Sequence, residues 1–458
     1  MRIVLCLISM FVGGIAISQK TMTENEFLTE VRNHHPLAKQ AAINIKISKA
    51  ELLRSRAAFD PEFEISKRNK DFEGTQYYDY NASSLKIPLW FGADVYAGTE
   101  NVEGSKSNPE YTKGKMSYGG ISFSPLQSII TDRRRTALKQ AKIAVNFSEA
   151  ESAAVVNSLL HDAAHAYWDW WLHVELLKFN DSMLVNSMNR LRMLKNSFQF
   201  GDRAAVDTLE AFTQVQNFVI MRAEAEMQLQ KTKAELSYFI FKDSLLQSIE
   251  QNDLLPAQQS NAPVVDSLLS QVAGHPDIKQ YDFKVSSLRL EKRLKLQNLL
   301  PDVDLKYQYL NRNDIFSSFG SPLLTNNYRF GVNLKIPLRL SQARAEYKIA
   351  GLKIDETLLE KENKQNRLIS KLQQALIETK QTQKQLQQQR MLMLNFQTLQ
   401  RMEEFKFNSG ESSLFLINTR ELKVLEGKQK MIALQAKANK ATADARYYAG
   451  DFVTVQPE

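Results

Sequence analysis

The chain contains one pattern twice: HPLAKQAAINIKISKAELLRSRAAFDP at residues 35–61 and HPDIKQYDFKVSSLRLEKRLKLQNLLP at residues 275–301. Each copy opens on His-Pro and continues to Lys-Gln, and the spacing from His35 to Pro61 equals that from His275 to Pro301. Each copy predicts a helix that stops at the second proline, because proline cannot continue the backbone hydrogen-bond ladder. The chain is therefore predicted to be a tandem structural repeat.

A period of two residues follows each predicted helix. Apolar Val303, Leu305 and Tyr307 alternate with polar residues, and Leu334 and Ile336 do so further along the chain. Such alternation predicts strands with one apolar and one polar face. The first copy has weaker equivalents near residues 62–66 and 118–123, which gives four core strands per chain. A further hairpin is predicted at residues 80–103, without a position relative to these strands.

Two long helices come next, at residues 133–200 and 344–408, where the only glycine or proline is Gly351. Each is predicted to end in a short glycine-containing turn and to be followed by a returning helix. The returning helices are expected at residues 204–250 and 412–449. The predicted boundaries are a first repeat at 19–251, a linker at 252–263, a second repeat at 264–449 and a C-terminal tail at 450–458.

Residues 1–18 are predicted to be a secretory signal peptide, with Arg2 followed by a short apolar stretch and a small-residue cleavage site. The only cysteine, Cys6, lies inside it, so the mature chain is expected to have none. With 59 basic and 51 acidic residues and no dense basic block, nucleic-acid binding is not expected. Beyond the signal no uncharged apolar run is long enough for a membrane-spanning helix, which leaves a periplasmic protein, a secreted protein or an outer-membrane β-barrel.

Strands in a bilayer must form a closed barrel, because an open sheet edge leaves unpaired backbone groups in lipid. Four strands are too few, since barrels need at least about eight. Three chains would supply twelve. The apolar positions Leu305, Tyr307, Leu334 and Ile336 would then face lipid, and the polar positions Lys306, Gln308, Asn333 and Lys335 would face the lumen.

The order of elements resembles that of the TolC-like outer-membrane efflux proteins. The resemblance extends from about Thr23 to Ala449, and is carried by the two repeats, by Pro61 and Pro301 and by the two glycine-containing turns. It implies a mainly α chain that forms a trimeric 12-stranded β-barrel continuous with a periplasmic α-helical barrel. The implied function is a passive exit duct of a tripartite efflux pump or type I secretion system, without enzymatic activity. The implied partners are two further copies of the chain, outer-membrane lipid, a periplasmic adaptor and, through it, an inner-membrane pump of a Gram-negative cell.

The resemblance also implies roles for individual residues. Gly201, Asp202, Gly410 and Glu411 would form the tips that contact the adaptor. Asp207 would narrow the tunnel entrance, but the tyrosine and arginine expected to accompany it are replaced by Phe407 and Ser412. Two interpretations stay open for the apolar residues nearby: Phe407, Leu414 and Phe415 close the entrance as a plug, or they only pack between helices.

One segment resembles a metal site, His161-Asp162-Ala163-Ala164-His165, with His173 two turns beyond. Two histidines four residues apart share one helix face and can hold zinc. A metalloprotease helix would have glutamate where Asp162 stands, and no active-site cleft is indicated, so neither a metal site nor a cofactor is assigned. Four aromatic residues follow, with packing between short and long helices or a membrane girdle as alternatives: Tyr167, Trp168, Trp170 and Trp171.

A second class of function remains, a non-transporting periplasmic or surface coiled-coil protein such as a structural spacer or an adhesin. The strands distinguish the two classes, because a spacer has no use for alternating apolar faces bounded by turns.

Overall fold

The computed structural model describes residues 20–105, 112–126, 131–250, 254–257, 265–312, 327–336 and 338–453. The predicted signal peptide lies outside them, as do most of the predicted linker and the end of the tail. The described parts of Met1–Lys39, Val155–Val272 and Leu368–Glu458 form one compact unit, the helical unit. Those of Gln40–Ala154 and Ala273–Arg367 form a second, the sheet unit.

The helices of the first copy are α1 to α5, and those of the second are α6 to α9. Their bounds are α1 Glu24–His34, α2 Pro36–Arg56, α3 Arg133–Gln199, α4 Ala205–Ser237, α5 Asp243–Glu250, α6 Val265–Gln271, α7 Pro276–Gln297, α8 Ser341–Asn408 and α9 Leu414–Ala449. The predicted long helices are confirmed as α3 and α8. The first returning helix is shorter than predicted, because the chain leaves α4 at Tyr238 and starts α5 only at Asp243.

The repeated His-Pro pairs have the same local role in both copies. The Nδ1 atom of His35 accepts a hydrogen bond from the backbone N–H of Leu37 at 3.1 Å. The Nδ1 atom of His275 accepts one from the N–H of Asp277, also at 3.1 Å. Each histidine thus caps one of the unpaired N–H groups at a helix start, and the proline after it occupies the first helical position.

Six strands form one antiparallel sheet in the sheet unit, in the order β2-β3-β4-β5-β7-β8. Their bounds are β2 Glu62–Phe72, β3 Thr75–Pro88, β4 Ala93–Glu103, β5 Gly114–Phe123, β7 Asp302–Asn311 and β8 Tyr328–Lys335. The four predicted core strands correspond to β2, β5, β7 and β8, but the sheet also includes a further strand pair, so twelve strands for three chains no longer follows. The hairpin predicted at 80–103 is β3 and β4, which pair continuously with β2 on one side and β5 on the other.

The pairing register sorts the side chains of the sheet onto two faces. Val303 lies opposite Leu334, and Leu305 opposite Val332, while Asp304 lies opposite Asn333 in the alternate register. Directly opposed residues point to the same side of a sheet. The predicted separation of Leu305, Tyr307 and Leu334 from Lys306, Gln308, Asn333 and Lys335 is confirmed.

The same register extends the apolar face across all six strands. Its large exposed side chains are Phe63, Ile65, Leu85, Ile121, Tyr328, Phe330, Val332 and Leu334. We call this surface the apolar face and the opposite one the polar face. A contiguous exposed apolar surface of this kind is uncommon on a water-soluble monomer and marks contact with lipid or with another chain.

The sheet curls toward its polar face. Arg329 on β8 donates to the carboxylate of Glu100 on β4 at 3.0 Å, although β7 and β5 lie between those strands. In a flat sheet three strand spacings would separate the two backbones by roughly 14 Å. Gly120 on β5 lets the backbones of β5 and β7 lie close together on this face. A Cβ atom at this position would lie only 2.2 Å from the carbonyl oxygen of Tyr307.

The helical unit has an aromatic core. Tyr167, Trp168, Trp170 and Trp171 are all buried, and they pack with Phe27 of the short helix α1 and with apolar side chains of α4 and α9. Packing between short and long helices is therefore the correct alternative for these four residues, and a membrane girdle is not.

A two-stranded parallel sheet completes this core. It pairs β1, Lys20–Met22, with β6, Leu254–Pro256, which lies inside the segment predicted to be a plain linker. The hydroxyl of Tyr167 lies 2.8 Å from the carbonyl oxygen of Met22 and 2.9 Å from that of Ala257, so α3 is hydrogen-bonded to both strand ends.

The two faces of the sheet predict opposite responses to a charged side chain. We expect Leu334→Arg to reduce assembly in the outer membrane, with a cost of about 2–4 kcal/mol if the site lies at the bilayer midplane. Asn333→Arg, its neighbour on the polar face, should assemble normally. The measurement is the yield of heat-modifiable oligomer in outer-membrane extracts, and equal yields for the two variants would contradict the proposed facing of the sheet.

Candidate functional site

The two helix turns have the same geometry. Gly201 and Gly410 both have φ = 81°, a left-handed conformation that favours glycine. The N–H of Gly201 bonds to the carbonyl of Phe198 at 3.0 Å, and the N–H of Asp202 bonds to that of Ser197 at 2.9 Å. The second turn repeats these two bonds between equivalent residues, at 3.1 and 2.9 Å. This is the Schellman motif, which ends a helix sharply.

The predicted tip residues are exposed at both turns, since Gly201, Asp202, Gly410 and Glu411 all face solvent. A Cβ atom placed on either glycine would meet nothing within 4 Å. A side chain at these positions is therefore excluded by the backbone conformation and not by lack of space.

A small apolar cluster lies behind the turns. It is formed by Leu194, Ala211, Phe407, Leu414 and Ile417, so all four long and returning helices contribute. Phe407 and Leu414 are buried within the chain by these contacts, which favours helix packing for both. Phe415 differs, because 67% of it is exposed.

An arginine does contact the aromatic residue near the second turn, but it comes from the first copy. The guanidinium carbon of Arg203 lies 4.0 Å from the centre of the Phe407 ring, and its Nη2 donates to the carbonyl of Phe407 at 3.1 Å. The equivalent of Arg203 in the second copy is Ser412, whose hydroxyl donates to Glu403 at 2.6 Å. Arg203 was not predicted from the sequence, because an arginine was expected only after Gly410. The sequence feature that could have identified Arg203 is its position two residues after Gly201.

Charged side chains join the helices just beyond this cluster. Arg190 of α3 donates two hydrogen bonds to the buried carboxylate of Glu421 on α9, at 2.8 and 3.2 Å. Asn418 donates to Glu210 of α4 at 2.9 Å. Removing one member of such a pair would leave the other charge buried and unpaired, so these contacts favour the observed partners of α9.

Asp207 is half-buried in the first turn of α4, where a negative charge also complements the helix dipole.

The paired histidines of α3 meet an aspartate from α9. The Nε2 atoms of His161 and His165 lie 2.7 and 2.9 Å from the same oxygen of Asp444. Burial alone would lower the pKa of His161, but hydrogen bonds to Asp444 and Asp162 outweigh it and the pKa lies above its usual value. The pKa of Asp444 falls well below its usual range, since the two histidines outweigh the effect of burial. His173, the third candidate from the sequence, is not part of this group.

Within the described residues, every helix is either too short or too polar to span a bilayer.

Comparisons with known proteins agree with the repeat architecture. Residues 269–448 match the family model described as outer membrane efflux protein. No curated protein matches the chain in a sequence search.

Solved structures match over almost the whole chain. A membrane protein from Pseudomonas aeruginosa has a TM-score of 0.67 at 14% identity, with 93% of this chain and 90% of that one covered. The outer membrane protein VceC from Vibrio cholerae has a TM-score of 0.65 at 14% identity, covering 93% and 96%. The Campylobacter jejuni CmeC outer membrane channel has a TM-score of 0.64 at 15% identity, covering 93% and 85%.

The predicted resemblance is thereby confirmed: the chain carries the outer membrane efflux protein domain in its second half and has the fold of the TolC-like outer-membrane channels.

Proposed function

We propose that this chain is the outer-membrane exit duct of a tripartite efflux pump or a type I secretion system, in a Gram-negative cell. The observation that carries the proposal is the six-stranded sheet with one apolar and one polar face, within a fold shared with outer-membrane channels. A duct of this kind moves substrate passively, and an inner-membrane pump supplies the energy. The name of the matched family favours efflux over secretion.

The alternative of a non-transporting spacer or adhesin fits the sheet poorly. A spacer in water would cover the apolar face within its own chain, yet Phe330, Val332 and Leu334 are more than half exposed. Such a face marks contact with lipid or with another chain, and lipid is the partner that agrees with the fold of outer-membrane channels.

The outer strands of the sheet support assembly into a ring. β2 and β8 are its two edges, and each has a free row of backbone groups in the described sheet. Pairing β2 of one copy with β8 of the next removes both edges, and repeated head-to-tail contact closes a ring. Three copies of this sheet would form a barrel of eighteen strands in place of the twelve expected from the sequence. Barrels of roughly this size leave an aqueous channel.

The turns at Gly201 and Gly410 support the second part of the proposal, docking of a periplasmic adaptor. Both turns expose an acidic residue next to the glycine, and both have the same backbone geometry. Three copies would present six matching turns, each available to the adaptor.

Asp207 and exposed Phe415 are the proposed gate residues. Three Asp207 carboxylates around one axis would favour cations and repel anions. Phe407 and Leu414 have a supporting role in this proposal, because their side chains are already packed within the chain. Ser412 contributes through Glu403, which it holds beside the second turn.

Cysteine pairs test the ring. With Cys6 inside the predicted signal peptide, we combine Ile65→Cys on β2 with Phe330→Cys, Val332→Cys or Leu334→Cys on β8, one pair at a time. At least one pair should form disulfides that link chains into dimers and trimers on non-reducing gels, and no larger species should appear. Each single-cysteine variant is the control. A ladder that continues past three chains, or no cross-link in any register, would rule out this closure.

Substitution of the turn glycines tests docking. Valine is strained at φ = 81°, so Gly201→Val with Gly410→Val should distort both turns at a cost of about 1–3 kcal/mol each. Export should be lost while oligomers still reach the outer membrane. The matched control is Gly351→Val inside α8, where the nearest atom to a new Cβ is the flexible end of Lys292 at 3.3 Å. Normal export by the double variant would remove the docking role.

Charge removal tests the gate. Asp207→Asn keeps the shape of the side chain and should reduce the cation preference of single channels, measured as the reversal potential in a salt gradient. Asp202→Asn at the exposed turn should leave it unchanged. If both variants behave like the unmodified protein, Asp207 is an ordinary residue of a helix start.

A further inference from the structure

The polar contacts between α3 and α9 follow one seam at intervals of about one helical turn. Asn157 donates to the carbonyl of Tyr447 at 3.0 Å. Asp444 lies beside the histidine pair one turn further along α3, and Lys440 forms an ion pair with Asp169 after that. The contacts of Asn157 and Lys440 thus lie on either side of the histidine pair and hold α3 against α9 there.

Three atoms that can ligate a metal ion converge between these two contacts. They are the Nε2 atoms of His161 and His165 and one carboxylate oxygen of Asp444, all within 4.8 Å of one another. In the described residues this is the only group of three or more histidine, cysteine or acidic side chains with such an arrangement. The sequence alone indicates the two histidines, but Asp444 is 279 residues from His165 and only the fold brings it there.

The surroundings of His161 also suit a metal ligand. Its Nδ1 lies 3.0 Å from a carboxylate oxygen of Asp162, and a ring with its proton on Nδ1 donates to that oxygen. Nε2 then faces the Asp444 oxygen 2.7 Å away. Either a proton on Nε2, as in the charged ring, or a metal cation can occupy the position between these two atoms. A carboxylate that holds the outer nitrogen of a ligating histidine is the usual second shell of a zinc site.

Packing and access suit a bound ion as well. The ring of Tyr447 lies 4.5 Å from that of His161 and limits its rotation. The side chains of His161, His165 and Asp444 are 19%, 32% and 27% exposed, so an ion and a water ligand can enter. Zinc bonds of about 2.05 Å place tetrahedral ligands roughly 3.3 Å apart. The present separations from Asp444 are 2.7 and 2.9 Å, so a small side-chain adjustment opens the site.

We propose that His161, His165 and Asp444 form a binding site for a divalent metal ion of the zinc class, with Asp162 as the supporting carboxylate and water as the fourth ligand. The ion joins α3 to α9 within one chain. The site is structural, because it offers no substrate cleft, and it would exist whether or not the chain is an efflux duct.

The experiment is calorimetric titration of Zn²⁺ into metal-free oligomer, purified in detergent with its affinity tag removed. The unmodified protein should bind one ion per chain. His165→Gln and Asp444→Asn should abolish saturable binding, and Asp162→Asn should weaken it by about 10- to 100-fold. His173→Gln is the matched control, since His173 lies on the same helix outside the group.

X-ray absorption at the zinc edge provides a second readout and should show scattering from two imidazole rings. Oligomer migration and circular dichroism confirm folding of each variant, and His165→Gln retains the test if Asp444→Asn does not fold. Absence of saturable binding in the unmodified protein, or equal binding in a folded His165→Gln, would overturn the proposal.

Discussion

Unpaired backbone at the two edges of the sheet is the constraint on which the rest of the architecture depends. Within the described sheet β2 and β8 each pair on one side only. In water those edge groups could bond to solvent, but the apolar face beside them favours an environment without water. Within the described residues one chain leaves both requirements unmet. This is the physical reason for the ring of copies that we propose.

The two copies of the repeat share their helices more closely than their strands. Each copy has a histidine-capped helix, a long helix, a Schellman turn and a returning helix. The first copy contributes four strands to the sheet, however, and the second contributes two. The second copy thus has one antiparallel strand pair where the first has two.

The local features of the fold could be predicted from the sequence, because each depends on residues close together in the chain. The His-Pro pairs, the glycine turns and the alternation around Leu305 and Leu334 are of this kind. The place of the predicted hairpin, β3 and β4, inside the sheet could not be predicted, since both strands are rich in Tyr, Asn, Ser and Thr and alternate weakly. Strand β6 was missed for a related reason: Leu254–Pro256 is too short to show a period.

The candidate sites could be predicted only in part, because they depend on contacts between residues that are distant in the chain. The sequence indicated His161 and His165 by their spacing, with His173 two turns beyond, but the fold brings Asp444 and not His173 beside the pair. It identified Phe407 as a position of interest, but could not show that the side chain packs against Leu194 and Ala211. Long-range pairing of this kind leaves no periodic signal in a single chain.

The contact between Arg203 and Phe407 has a consequence for how duplicated proteins diverge. The contact joins the position two residues after one turn glycine to the position three residues before the other. The two copies therefore offer two such pairs of positions, Arg203 with Phe407 and Ser412 with Phe198, and only the first has an arginine. Comparison of the second turn on its own would record a missing arginine at Ser412, whereas the folded chain supplies an arginine to that turn from the other copy.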